Sequence, residues 1–145
     1  MTARARMHPN RALIAEFHRR QGDFYAGGPL EPVAELLAED VRWHVPGTSP
    51  IAGDHRGRGS VLAYFQRRRE IASGTMRMTV RDGLADDEAV IELVDGSARL
   101  GGESVTWRTV GVYRIRDRLV AEAWLVPFDL ELFDRIWTPR RAAAS

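Results

Sequence analysis

The sequence predicts an α+β fold, with helices packed across one side of a curved, mostly antiparallel sheet. Two observations carry that class. Apolar residues recur at helical spacing through the first half of the chain, then alternate with polar ones at period two from about residue 75. The second half is also punctuated at short intervals by turn signals: Asp86-Asp87, Asp95-Gly96, Gly101-Gly102 and Arg116-Asp117-Arg118.

Asn10 is expected to cap a helix over 11–25, its side-chain carbonyl taking an orphan backbone N–H. Leu13, Ile14, Phe17, Phe24 and Tyr25 form its apolar face, and Gly27-Gly28-Pro29 ends it. A short helix over 31–38 tolerates Pro32 in its first turn and turns Val33, Leu36 and Leu37 inward. A strand over 41–45 leads into a loop holding Pro46, Gly47, Pro50, Gly53 and Gly57. Ser60 then caps a helix over 60–73, with Val61, Leu62, Phe65 and Ala72 buried and Gly74 at its end.

Met76, Met78 and Val80 alternate with Thr75, Arg77, Thr79 and Arg81, the pattern of a half-buried strand. Asp86-Asp87 turns into a strand over 89–94, which Asp95-Gly96 is expected to end. The longest strand, over 105–115, puts Trp107, Thr109, Gly111 and Tyr113 on one face and Arg108, Val110, Val112 and Arg114 on the other. A last strand over 119–126 stops at Pro127, and a helix over 130–137 carries Leu132, Phe133, Ile136 and Trp137.

A chain of 145 residues with 44% hydrophobic and 28% charged residues is expected to form one domain over 1–145, with an ordered core over about 10–137 and short tails. The absence of cysteine removes disulfides and thiol nucleophiles and fits a cytoplasmic location. The 21 basic and 20 acidic residues are interspersed, so no nucleic-acid footprint is expected. No stretch approaches the roughly 20 apolar residues of a membrane span. The four histidines show no zinc-site spacing, and no phosphate or dinucleotide loop is present, so neither metal nor cofactor is expected.

Two segments, LLAEDVRWHVPGTSPIAGDHRGRGSVLAYF and LVAEAWLVPFDLELFDRIW, resemble the SnoaL-like branch of the ketosteroid-isomerase-like superfamily, which shares the nuclear transport factor two fold. The resemblance covers about 10–137. It implies a cone-shaped barrel, a homodimer and a deep apolar pocket for a small hydrophobic organic ligand. The proton-shuttling aspartate of the ketosteroid isomerases falls on Val45, or on His44 if the alignment slides by one. Their oxyanion-holding aspartate falls near Gly111. The acidic residue of the resembling limonene epoxide hydrolases falls on Val126, so neither of those two activities is matched.

His44 and Glu92 are the catalytic candidates. Imidazole acts as acid and base near neutral pH, and a carboxylate between Val90 and Val94 would sit in apolar company. The competing readings are that His44 faces the outer sheet surface, opposite to Trp43, and that Glu92 pairs with Arg99 or Arg108. Phe17, Tyr25, Trp43, Val45, Phe65, Trp107, Thr109, Trp124 and Val126 are the expected ligand-binding set, with Asp129 at the rim as a helix cap. Asp54, His55 and Arg56 read as loop charges, and Arg67-Arg68-Arg69 as the solvated flank of a helix. The expected activity is cofactor-independent isomerisation, cyclisation or dehydration of a polyketide or terpenoid ketone; the alternative is a non-catalytic binding protein.

Overall fold

The first helix starts on a proline. The computed structural model describes residues 7–139, and within them α1 (Pro9–Tyr25) is capped by His8, whose Nδ1 accepts the Asn10 amide at 3.1 Å. Pro9 suits the first helical position because its missing N–H would be an orphan there anyway. Asn10, the expected cap, lies inside the helix; its side-chain amide donates to the Asp86 carbonyl at 2.9 Å and ties the helix start to a turn of the sheet. At the other end Gly27, at φ +108, lets the Gly27 and Gly28 amides reach back to the Phe24 and Asp23 carbonyls.

The next helix, α2 (Glu31–Ala34), is a single turn rather than the expected run to residue 38. The sheet claims the residues beyond it: the Val120 amide donates to the Leu36 carbonyl at 2.8 Å, and Leu37 pairs with Val120. That pairing opens β1 (Leu37–Val45), four residues earlier than expected. Its antiparallel neighbour β2 (Gly53–Arg56) lies in the stretch expected as loop, because a glycine and three polar residues carry no readable alternation. Helix α3 (Arg58–Ala72) begins before Ser60, after Gly57 at φ +85.

Then come β3 (Arg77–Ala85), β4 (Ala89–Leu100), β5 (Glu103–Arg116), β6 (Leu119–Pro127) and α4 (Leu130–Trp137). The last helix has the expected bounds, and Asp129 caps it by accepting the Leu132 amide at 3.0 Å. Asp117 and Arg118, at φ +53 and +62, make the tight turn between β5 and β6.

Asp95 and Gly96 do not turn the chain. They sit inside β4, opposite Arg108 and Trp107, and the hairpin turns at Gly101-Gly102 instead. Asp95 is held by Arg81 at 2.6 Å and Arg108 at 2.8 Å, while Gly96 leaves room for the Trp107 indole to lie across the strand.

The six strands form one sheet in the order β2-β1-β6-β5-β4-β3, antiparallel except where β1 meets β6. Register shifts at Val80–Asp82 and Arg114–Ile115 add bend to the sheet. The sheet curves but does not close, so the expected barrel is an open cone with β2 and β3 as its edges. Helices α1 and α3 cross its concave face, and α4 brings Trp137 against Trp107 at 5.3 Å. Among the described residues no helix is long and apolar enough to cross a membrane.

Candidate active site

Strand alternation sorts the sheet into two faces. Val90, Tyr113, Ala123 and Trp43 follow one another in register across the inner face. Phe17 from α1 and Phe65 from α3 press onto that row; the Trp43 ring meets Phe65 edge-on at 5.0 Å and lies 5.9 Å from both Phe17 and Tyr113. Phe17, Tyr25, Trp43, Val45, Phe65, Trp107 and Thr109 are all buried among the inner-face core.

Glu92 points into this apolar interior and is 3% exposed. Its partner is neither Arg99 nor Arg108 but His18 of α1, whose Nε2 lies 2.5 Å from Glu92 Oε1. The other ring nitrogen of His18 meets buried Gln21 Oε1 at 3.1 Å, which fixes the imidazole at both ends. Gly111 lies directly opposite Glu92 in β5, and the Tyr113 phenol fills the space that a side chain there would need. Burial first, then the charge of Glu92, pushes the Tyr113 pKa far up and keeps the phenol protonated. Its ring also meets His18 edge-on at 5.7 Å.

Sequence reasoning passes over His18. The signal is nonetheless present: Ile14, Phe17, Gln21 and Phe24 form the buried stripe of α1, and His18 lies beside it, so two hydrogen-bonding side chains interrupt an apolar face.

Arg68 corrects a second expectation. It is not part of a solvated flank; it shares the inward stripe of α3 with Val61, Tyr64, Phe65 and Ala72 and is 3% exposed. Its guanidinium lies 5.0 Å from the Trp137 ring, 5.4 Å from Tyr64 and 5.6 Å from Tyr25. It donates to the Tyr64 hydroxyl at 3.1 Å. Ring contacts connect the two groups: Tyr113 meets His18 at 5.7 Å and Trp43 at 5.9 Å, Trp43 meets Tyr64 at 6.2 Å, and the Tyr64 hydroxyl accepts from Arg68.

His44, Trp124 and Val126 lie on the opposite face. Trp43 pairs with Ala123 while His44 pairs with Trp124, so alternation sends the second pair outward. The His44 ring stacks on Trp124 at 5.4 Å, with Nδ1 on Asp54 at 2.7 Å and Nε2 on Glu122 at 2.7 Å. Val126 is half exposed on that same surface, and Asp129 is occupied as the α4 cap. The structure therefore gathers Glu92 with seven of the expected binding residues and sets these four apart from them.

Burial disfavours a charged His44, but the hydrogen bonds it donates to Asp54 and Glu122 outweigh it and raise the pKa above the ordinary 6.5. The folded chain thus binds this proton more tightly than the unfolded chain. The contribution is complete below about pH 6.5 and is lost as pH rises through the folded-state value. Urea midpoints of the wild type and His44→Gln should accordingly lie furthest apart below about pH 6.5 and converge as pH rises through the folded-state value. A gap that widens toward alkaline pH would mean that His44 is held neutral.

A sequence model of the SnoaL-like domain matches residues 18–123. The protein Rv0034 of Mycobacterium tuberculosis is 33% identical over 73 residues, which are 50% of this chain; the match spans 56% of that protein's length. Bal32a, from a soil-derived mobile gene cassette, superposes with a TM-score of 0.77 at 29% identity, over 88% of this chain and 98% of its own. IdmH of Streptomyces antibioticus, a proposed polyketide cyclase, superposes at 0.69 with 19% identity, over 87% and 96% of the two chains; that likeness concerns the fold. Among the described residues no group of three or more histidine, cysteine or acidic side chains is arranged to hold a metal ion.

Proposed function

We propose that this chain, which belongs to the SnoaL-like domain family, is a pocket enzyme that moves one proton on a small hydrophobic ketone of polyketide or terpenoid type, using its own side chains. One observation carries the reading: a 3% exposed carboxylate, Glu92, in contact with an imidazole that a third group holds in place. A buried ion-pairing residue with no stabilising need in an apolar wall is a candidate for proton transfer.

In this reading Glu92 accepts a proton from the carbon next to the substrate carbonyl, and the C–H electron pair moves onto the carbonyl oxygen. Tyr113, kept protonated, donates a hydrogen bond to that oxygen as it gains charge. His18 carries the proton between Glu92 and the next acceptor. Return of the proton to another carbon completes an isomerisation; attack of the enolate carbon on a second carbonyl, with the proton going to the new alkoxide, completes an aldol-type cyclisation. The likeness to IdmH supports a substrate of polyketide type. A cleft of about 340 Å3, lined by Ile71, Leu100, Leu132, Arg135 and Ile136, would be the way in beside α4.

The acting unit would be a cytoplasmic homodimer. Ile91, Val112 and Trp124 form one apolar row across the outer face, and Val110 and Val126 form the next, a surface suited to a second copy. A non-catalytic carrier is the second reading. It is favoured by the resemblance, which puts Val45 or His44, and a residue near Gly111, where ketosteroid isomerases place aspartates, and it predicts the same binding without turnover.

The test begins with tryptophan fluorescence against polycyclic and terpenoid ketones, followed by exchange of the ketone α-hydrogen for solvent deuterium. Glu92→Gln is expected to bind within a few-fold of wild type while exchange falls by about 10²–10⁴. Exchange at the wild-type rate in Glu92→Gln would remove the catalytic reading and leave the carrier.

A further inference from the structure

The interior holds a cation that the proposed proton transfer does not use. Arg68 is 3% exposed, and a guanidinium offers five N–H donors. Among the described residues its closest hydrogen bond is to the Tyr64 hydroxyl at 3.1 Å, the Tyr25 hydroxyl interacts more weakly, and its Nε has no partner. Among the described residues no carboxylate pairs with it; the groups that act on it are the tyrosines Tyr64, Tyr25 and Tyr113. Beside it, among the described residues, neither the Tyr25 hydroxyl nor the Trp137 indole Nε1 donates to any acceptor.

Leaving a buried charge without a counter-ion is among the most unfavourable arrangements a core can hold. The three aromatic faces around Arg68, 5.0–5.6 Å away, offset part of that through cation–π contact. They supply no acceptor for the remaining N–H groups. A core that needed only packing would be better served by methionine or leucine at this position. What the cluster lacks is a planar oxyanion: two oxygens for the guanidinium fork, with Tyr25 and Trp137 as further donors.

We propose that Arg68, with Tyr25 and Trp137, binds the oxyanion of an acidic substrate, a carboxylate or an ionised enol carried on an aromatic or polycyclic body. This deepens the enzyme reading above and rests on it. The oxyanion at Arg68 and the reacting carbon toward Glu92 would place the substrate along the row Tyr64, Trp43, Tyr113 and His18, with its negative end away from the like charge of Glu92. The aromatic walls Trp43 and Phe65 would hold the ring system between them.

The test is a matched pair of probes, 2-naphthoate and the neutral 2-naphthamide, titrated calorimetrically into wild type, Arg68→Met, Tyr25→Phe and Glu92→Gln. Wild type should bind the acid at least about tenfold more tightly than the amide. Arg68→Met, which keeps the stem volume, should bring the two affinities together while leaving the amide within about threefold of wild type. Tyr25→Phe, a smaller change that tests the same cluster if Arg68→Met does not fold, should weaken the acid about three- to tenfold and leave the amide alone. Glu92→Gln, which removes the like charge, should keep or sharpen the preference for the acid.

Equal binding of acid and amide by wild type overturns the oxyanion site while leaving the pocket reading in place. A preference that survives in Arg68→Met overturns it equally. Failure of wild type to bind either probe overturns both the oxyanion site and the apolar pocket on which the proposed function depends.

Discussion

Gly96→Ala is expected to destabilise the protein by about 3 kcal/mol, a large effect for one methyl group. The added Cβ would lie 2.1 Å from Cε2 and 2.3 Å from Nε1 of Trp107, and an indole ring has no flexible end to move aside. The ring is also confined on its far side, 5.3 Å from Trp137, so it can yield only by dislodging α4. Gly96 does not have the positive φ of Gly101 and Gly102 in the neighbouring turn, so the cost comes from packing alone. Gly22→Ala is the internal comparison. It lies in α1 with nothing within 4 Å of the added atom and should gain up to about 1 kcal/mol from helix propensity. Urea unfolding of both variants decides the matter; a Gly96→Ala midpoint equal to wild type would mean that Trp107 does not rest on the strand.

His18→Leu is expected to lower stability by about 3–5 kcal/mol, because it removes the partner of Glu92 and leaves a carboxylate at 3% exposure among apolar rings. It also strips Gln21 of its contact at His18 Nδ1. The loss is a penalty for breaking the pair rather than a measure of what the pair contributes, so His18→Leu with Glu92→Met should recover most of it. Chemical denaturation of the two single variants and the double variant completes the cycle. A double variant no more stable than His18→Leu would place the cost in packing of the α1 face instead of in the buried charge. In that outcome Glu92 would not depend on His18, and the proposed proton path would lose its second member.

Local pattern is enough where an element's own residues dictate its shape. Helix α4 has the predicted bounds because Asp129 caps it and Pro127 stops the strand before it. The inward set of β5 is likewise legible, since Trp107, Thr109, Gly111 and Tyr113 alternate with exposed or half-buried neighbours. The seven inward-facing binding candidates come from those same two periodicities.

Pattern fails where a partner distant in sequence decides. Asp95-Gly96 carries a turn signal, yet the indole of Trp107 needs that glycine flat beneath it and two arginines hold the aspartate in the strand. Trp124 has the character of pocket lining, but the parallel register of β1 on β6 puts it beside His44, facing out. His44 itself obeys alternation and joins Asp54 on a strand too short to announce itself.

The α+β class, the family resemblance, the order of nearly all elements and the apolar lining are written in the chain alone, because helix and strand periodicity are local properties. Which charges the interior encloses is settled only once the elements are assembled. A histidine 74 positions from its glutamate and an arginine within a basic run acquire their roles when α1 and α3 settle on the concave sheet, since burial and pairing belong to the packed core and not to any one segment.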